Sequence, residues 1–232
     1  MGDSMSITTC VFDAYGTLFD VAAAARTAAA LPKNSEIAEN WTKLANDWRL
    51  KQLQYSWLRA ITDAHTDFWQ VTQDGLDWAM EANGVSGSRL RAELLELYWN
   101  LDAFPEVPKM LVELKTAGLQ TAILSNGSIA MLEAAVSSAG IGEHLDAILS
   151  VDTVGIFKPD TRVYNLVSEH FHCAVDEVLF VSSNGWDAAA AAGYGFKTAW
   201  VNRSGEPQDR LPWAPQYELK NLTKIPILAK AQ

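Results

Sequence analysis

The feature that most constrains this chain is a change of pattern along its length. From about residue 104 onward, short apolar, β-branched runs alternate with helical stretches. Residues from about 20 to 100 instead read almost entirely as helix, with Trp41, Leu44, Trp48, Tyr55 and Leu58 near helical spacing. Ahead of both stands one more run, Thr8-Thr9-Cys10-Val11-Phe12, followed by the turn signal Asp13-Ala14-Tyr15-Gly16-Thr17. It predicts a buried strand ending at Asp13. Helix and strand in alternation pack as a parallel sheet with helices on both faces. A helical block between the first strand and the others is then an insertion. The expected fold is α/β, a doubly wound parallel-sheet (Rossmann-like) core with an inserted helical cap domain. The core takes residues 1–19 and 104–232, the cap residues 20–103. Pro105 and Pro108 mark the return to the core, Pro108 being suited to a helix's first turn.

Within the core, the pattern predicts further strands over 119–124, 145–151, 178–181 and 198–201. It predicts helices over 110–117, 131–139, 161–171 and 186–192, with Gly118, Gly140 and Gly193 closing the first, second and fourth. The proline-containing tail reads as a small edge strand and a loose end. Ligands of doubly wound sheets sit beyond the carboxyl ends of the strands. That rule selects residues 13–17, 125–127, the loop holding Lys158, and 182–187.

Charge narrows the function classes. Eighteen Lys and Arg against 28 Asp and Glu leave a formal net charge of −10, which repels nucleic acid, and no basic cluster interrupts it. A small anionic substrate would need a local cationic pocket. No apolar run reaches membrane-spanning length, so no membrane partner is expected. The N-terminus shows no basic region leading into an apolar core. Two cysteines, Cys10 and Cys173, make no disulfide scaffold, so the expected compartment is the reducing cytoplasm. Met1-Gly2 with Ser6 formally matches an acylation signal, but Met5 serves equally as a start, and lipidation is discounted. His170, His172 and Cys173 do not share a helix face and are not read as a metal site. Gly193-Tyr194-Gly195 lacks a third glycine and is no dinucleotide fingerprint. The nine tryptophans are read as core packing.

Four segments at the predicted sheet edge carry a resemblance. Val11-Phe12-Asp13-Ala14-Tyr15-Gly16-Thr17-Leu18, Leu124-Ser125-Asn126-Gly127, Phe157-Lys158-Pro159-Asp160 and Val181-Ser182-Ser183-Asn184-Gly185-Trp186-Asp187 resemble, in order, the four motifs of the haloacid dehalogenase superfamily. Their details, with the helical segment Trp48 to Leu58, resemble its cofactor-free L-2-haloacid dehalogenase branch.

The residues can be weighed beside that resemblance. An aspartate ending a strand, followed by Gly and Thr, puts a carboxylate at the active edge, where it can attack carbon or phosphorus. By itself it could equally cap a turn. Two residues on, where the superfamily's phosphatases carry a general-acid Asp, stands Tyr15, and the last motif has one acid, Asp187. That set suits displacement of halide from carbon better than Mg²⁺-dependent phosphoryl transfer. The resemblance makes Asp13 the nucleophile and Lys158 the cation that favours its ionised form. It places Arg49 over the site as the halide receiver, where a delocalised charge suits a dry pocket. Ser125 and Asn126 bind the substrate carboxylate and halide, or form a strand-to-helix turn; both readings can hold. Tyr15, Leu53, Phe68 and Trp186 surround the alkyl part. Thr17 orients Asp13, and Tyr164 holds Lys158. Ser182, Asn184 and Asp187 form the last motif, in which Asp187 orients Lys158 or activates water. Leu50 stands where the branch often has a polar residue, which bears on pocket polarity.

The activity so implied converts (S)-2-haloalkanoic acids to (R)-2-hydroxy acids with inversion, through an ester on Asp13, with no metal and no organic cofactor. The partners are the small anionic 2-haloacid, the halide product and a second copy in a homodimer formed through the insertion. The rival readings are a Mg²⁺-dependent phosphatase or phosphonatase of the same superfamily and a catalytically silent binding homologue.

Overall fold

The computed structural model describes residues 6–231; Met1, Gly2 and Met5, and with them most of the acylation pattern, lie outside the described residues. Six strands form one parallel sheet: β1 (Thr9–Phe12), β2 (Gln120–Ser125), β3 (Ala147–Ser150), β4 (Val178–Ser182), β5 (Lys197–Val201) and β6 (Tyr217–Leu219). Their order is β3-β2-β1-β4-β5-β6. β1 lies between β2 and β4, with Phe12 in register with Ile123 on one side and Val181 on the other. β1 and β4 are buried along their whole length, as apolar strands covered on both faces must be. The order reverses between β1 and β4, so the crevice beyond their carboxyl ends is the switch point where such sheets bind ligands.

Between β1 and β2 the chain runs through α1 (Ala23–Ala29), α2 (Trp41–Ile61), α3 (Phe68–Ala82) and α4 (Ser88–Trp99) before α5 (Val107–Thr116) returns it to the sheet. The two ends of this excursion meet. Phe19 bridges Ala103, the Asp20 N–H reaches the Asp102 carbonyl at 3.2 Å, and the Phe104 N–H reaches the Leu18 carbonyl at 2.9 Å. α2 is the long element and packs chiefly on α3, where Gly75 leaves the space that brings the two backbones together: a Cβ there would lie 3.2 Å from the Gln52 nitrogen. The carboxylate of Asp67 caps α3 by accepting the Gln70 N–H at 3.0 Å.

The core helices are α6 (Ile129–Ala139), α7 (Thr161–Phe171), α8 (Gly185–Tyr194) and α9 (Ile225–Lys230). Gly140 ends α6 in the left-handed region, as the sequence predicts. Three expectations change. Gly193 does not close α8, which continues to Tyr194 and is capped by Gly195 at φ 121°. Gly193 lies inside the helix, where the Trp213 indole rests on it and leaves no room for a Cβ. The tail is not loose: after β6 a 3₁₀ turn (Leu222–Lys224) and α9 both pack on α5, burying Leu222, Ile225 and Ala229. Apolar burial outweighed the prolines that obscured the pattern. Strand 145–151 is shorter than expected, because Val151 opens a 3₁₀ turn in which the Ser150 hydroxyl accepts the Asp152 N–H. No helix among the described residues is long and apolar enough to cross a membrane.

Candidate active site

Asp13 leaves the end of β1 at the centre of the sheet edge and is buried there. Its Oδ2 accepts from the Thr17 hydroxyl and from Asn184 Nδ2, both at 3.0 Å. Its Oδ1 accepts from Lys158 Nζ at 3.2 Å. Thr17 is held in turn by the Ser183 N–H, which donates to its hydroxyl at 2.8 Å. The turn that makes this possible needs Gly16: its φ is +90°, and a Cβ would lie 3.0 Å from the Ser183 hydroxyl.

Lys158 lies between two carboxylates. Its Nζ is 3.2 Å from Asp13 and 3.0 Å from Asp187 Oδ2, with all three side chains buried. The second oxygen of Asp187 accepts from the Tyr164 hydroxyl at 2.7 Å. The backbone N–H of Lys158 donates to Asn126 Oδ1 at 2.9 Å, which fixes the loop against the end of β2. Burial alone would lower the lysine pKa, but Asp187 and Asp13 outweigh it and hold the ammonium above its ordinary value. Burial, reinforced by the charge of Asp13, raises the Asp187 carboxyl against the opposing pull of Lys158. Burial and the neighbouring Asp187 charge keep the Tyr164 phenol well above its usual range. The ammonium bridges the two carboxylates.

Arg49 reaches this network from α2. Its Nη2 donates to the Tyr15 carbonyl at 3.1 Å and to Asn184 Oδ1 at 3.2 Å. Asp47, two residues before it in the chain, is paired with Lys43 instead. Asn184 thus donates to Asp13 and accepts from Arg49. Leu53, one turn along α2, lines a cleft with Arg49, Asn184 and Trp186. The Tyr15 ring stacks on Tyr98 at 5.6 Å between centroids and touches Phe68 at 6.0 Å. It lies against Gly127, where a Cβ would be 2.7 Å from the ring. Burial first, then the charges of Tyr98 and Asp13, push the Tyr15 phenol well above its usual range.

The expected residues therefore converge unevenly. Asp13, Thr17, Lys158, Tyr164, Asn184 and Asp187 form one hydrogen-bonded network, joined by Arg49. Ser182 supports it, its hydroxyl accepting the Asn184 N–H at 3.1 Å. Ser125 turns the backbone after β2 by accepting the Gly127 N–H at 3.1 Å. Leu50 is 58% exposed and lies on the solvent-facing part of the cleft shared by Arg49 and Leu53.

Residues that pattern reading passed over complete the surroundings. Gln52 accepts from Arg49 at 2.7 Å, then donates to Thr72 and to Tyr98. Its spacing, three residues after Arg49, was the available signal. Arg203 donates to the Thr17 carbonyl at 3.0 Å and pairs with Glu106 at 2.7 Å. Nothing local in the sequence marks it, since it comes from the distant end of β5.

A buried carboxylate at a Rossmann-like switch point, a buried lysine against it and an arginine reaching across from the helical excursion are the features to compare with known hydrolases. The family model for haloacid dehalogenase-like hydrolases matches residues 7–195, and the chain belongs to that family. Among curated relatives, (S)-2-haloacid dehalogenase 1 from Pseudomonas sp. (strain CBS-3) is 42% identical over 224 residues, 96% of each chain. The (S)-2-haloacid dehalogenase of Xanthobacter autotrophicus is 43% identical over 195 residues, 83% of this chain and 74% of that one. Among solved structures, a dehalogenase with an intermediate complex superposes with a TM-score of 0.91 at 35% identity, covering 97% of this chain and 98% of the other. The L-2-haloacid dehalogenase from Xanthobacter autotrophicus with chloropropionic acid covalently bound gives 0.85 at 35% identity, covering 97% and 99%.

Proposed function

We propose that this chain is a hydrolytic dehalogenase that converts (S)-2-haloalkanoic acids to (R)-2-hydroxy acids. The observation that carries the reading is the Asp13 carboxylate, with Lys158 on one oxygen and Thr17 and Asn184 on the other. Three donors converge on this carboxylate, which in this reading is the attacking group. In this reading an oxygen of Asp13 attacks C2 of the substrate from the face opposite the halogen. The C–halogen bond breaks, the halide takes the electron pair, and C2 inverts.

Arg49 and the Asn126 amide receive the halide, which needs no proton to depart. Ser125 and neighbouring backbone N–H groups take the substrate carboxylate. Tyr15, Leu53, Phe68 and Trp186 surround the alkyl group. Water then attacks the carbonyl carbon of the ester on Asp13, so the C2–O bond survives and the hydroxy acid leaves with an oxygen from Asp13. Asp187 has both oxygens engaged, on Lys158 and Tyr164, and acts here by holding the ammonium in place. Residues 20–103 form the cap that carries Arg49, Leu53 and Phe68 to the core. A homodimer formed through that cap and a cytoplasmic location, consistent with two free thiols, belong to the same reading.

The test is halide release from (S)- and (R)-2-chloropropionate, each with and without EDTA. Release from the (S) acid alone, unaffected by EDTA, is the expected result. Chelator-sensitive release of phosphate from esters, with no halide release, would replace this reading by the phosphatase one.

A further inference from the structure

Beside the Asp13 network lies a groove of about 800 Å³ between the carboxyl end of α2 and the core, lined by Trp57, Ile61, Phe157, Trp186 and Trp213 among others. Such a volume is that of a site for a drug-sized molecule and far exceeds what the alkyl group of a propionate occupies. Its two titratable side chains are already committed. Asp160 pairs with Arg162, and the Tyr194 hydroxyl donates to Asn165 at 3.1 Å. The groove therefore rewards a mainly apolar occupant, its uncommitted polar groups including the unpaired indole N–H groups of Trp57 and Trp186.

Its position ties it to the site. Phe157 directly precedes Lys158, and Trp186 directly precedes Asp187. Trp186 also walls the cleft that holds Arg49, Leu53 and Asn184. Arg49, Leu53 and Trp57 follow one another at helical spacing on α2, so a single helix face leads from the guanidinium to the groove. Trp57 and Trp186 meet edge to face, 5.3 Å between centroids, where the two recesses adjoin. Resting on the dehalogenase reading above, we infer that this groove takes the apolar tail of 2-haloacids longer than propionate. Their carboxylate and halogen stay at Asp13 and Arg49, and the tail runs past Leu53 and along Trp57 and Trp186.

The experiment compares halide release from (S)-2-bromopropionate and (S)-2-bromohexanoate, which differ only in the tail. The wild type is expected to use both, with kcat/KM for the hexanoate at least equal to that for the propionate. Ala60→Phe and Ala190→Phe, which add bulk to the groove from α2 and from α8, should lower the hexanoate value by about tenfold and leave the propionate value within about twofold. Ile61→Asp, at a position 81% exposed, tests the rim without altering the core and should act in the same direction. Propionate turnover with no hexanoate turnover in the wild type would overturn the inference while leaving the dehalogenase reading standing. So would a shift of oligomeric state in the filled variants with chain-length preference unchanged, which would make the groove a contact between copies. Release from neither acid would overturn both.

Discussion

Arg49 of α2 donates to Asn184 at 3.2 Å, and Asn184 donates from its other amide atom to Asp13 at 3.0 Å. A residue of the helical excursion is thereby wired to the carboxylate at the centre of the sheet through one amide. The geometry makes the excursion part of the site rather than a cover over it. It also fixes which face of α2 looks inward, since Arg49 is further clamped by Gln52 and the Tyr15 carbonyl.

Arg49→Lys keeps the charge but not the planar fork that spans Tyr15, Gln52 and Asn184. We expect kcat/KM for (S)-2-chloropropionate to fall by about tenfold to a hundredfold, with thermal stability little changed. Steady-state halide release and a melting curve on the same sample check it. Wild-type kinetics in the variant would take the guanidinium out of the chemistry.

Asp13→Asn removes the charge that attacks in the proposed mechanism while nearly preserving shape. Turnover should fall by at least about a thousandfold. In the wild type, a single turnover in ¹⁸O water with enzyme in excess should label Asp13 and leave the product unlabelled. Labelled product in that first turnover would mean direct attack by water.

Lys158→Met leaves two buried carboxylates facing each other with no cation between them. Removing one partner of a buried pair costs about 3–5 kcal/mol, to be read from denaturant unfolding at neutral pH. The sign with pH follows from the directions of the shifts. The Lys158 pKa is raised in the fold, so its contribution is complete below the ordinary lysine range and is lost as pH rises through the folded value. The Asp187 pKa is raised too, so folded protein binds its proton more readily than unfolded chain. The variant, whose Asp187 has lost its counter-charge, should therefore regain stability as pH falls into the carboxylate range. A deficit constant from pH 4 to 8 would contradict this.

Gly127→Ala places a Cβ 2.7 Å from the Tyr15 ring and 3.1 Å from Leu132. Both neighbours are buried, so the ring must shift. A loss of about 1–3 kcal/mol is expected, accompanied by reduced kcat because Tyr15 carries the carbonyl that Arg49 holds. Full activity at unchanged stability would show that the Tyr15 ring moves aside freely.

Cys10 lies within β1, and burial pushes its thiol up to about 12. Iodoacetamide at pH 8 should leave it unmodified in the native protein and alkylate it after denaturation. Mass spectrometry of the two samples decides it, and modification of native Cys10 would mean that β1 opens readily.

Much of the site was legible because strand-end chemistry is local. Asp13 follows a β-branched run, Gly16 and Thr17 follow it within one turn, and Asn184 and Asp187 open a helix just after β4. These placements need only the strand period and the rule that ligands gather at carboxyl ends. The helix ends at Gly118 and Gly140 were legible for the same reason, since a left-handed residue costs glycine little. Gly193 misled because its glycine is required by a side chain 20 residues away, Trp213, and not by its own backbone. The tail misled because α9 is held by α5 rather than by its own propensity.

The sequence by itself determined which chemical groups stand at the sheet edge and in what order, because strand, turn and cap signals act over a few residues. Only the tertiary structure decided that Lys158 sits between Asp13 and Asp187, that Arg203 holds the Thr17 loop, and that Gln52 and Tyr98 brace Arg49 and Tyr15. Those contacts join residues far apart in the chain. Their directions depend on how helices settle against the sheet to bury apolar surface, and no local signal carries that packing.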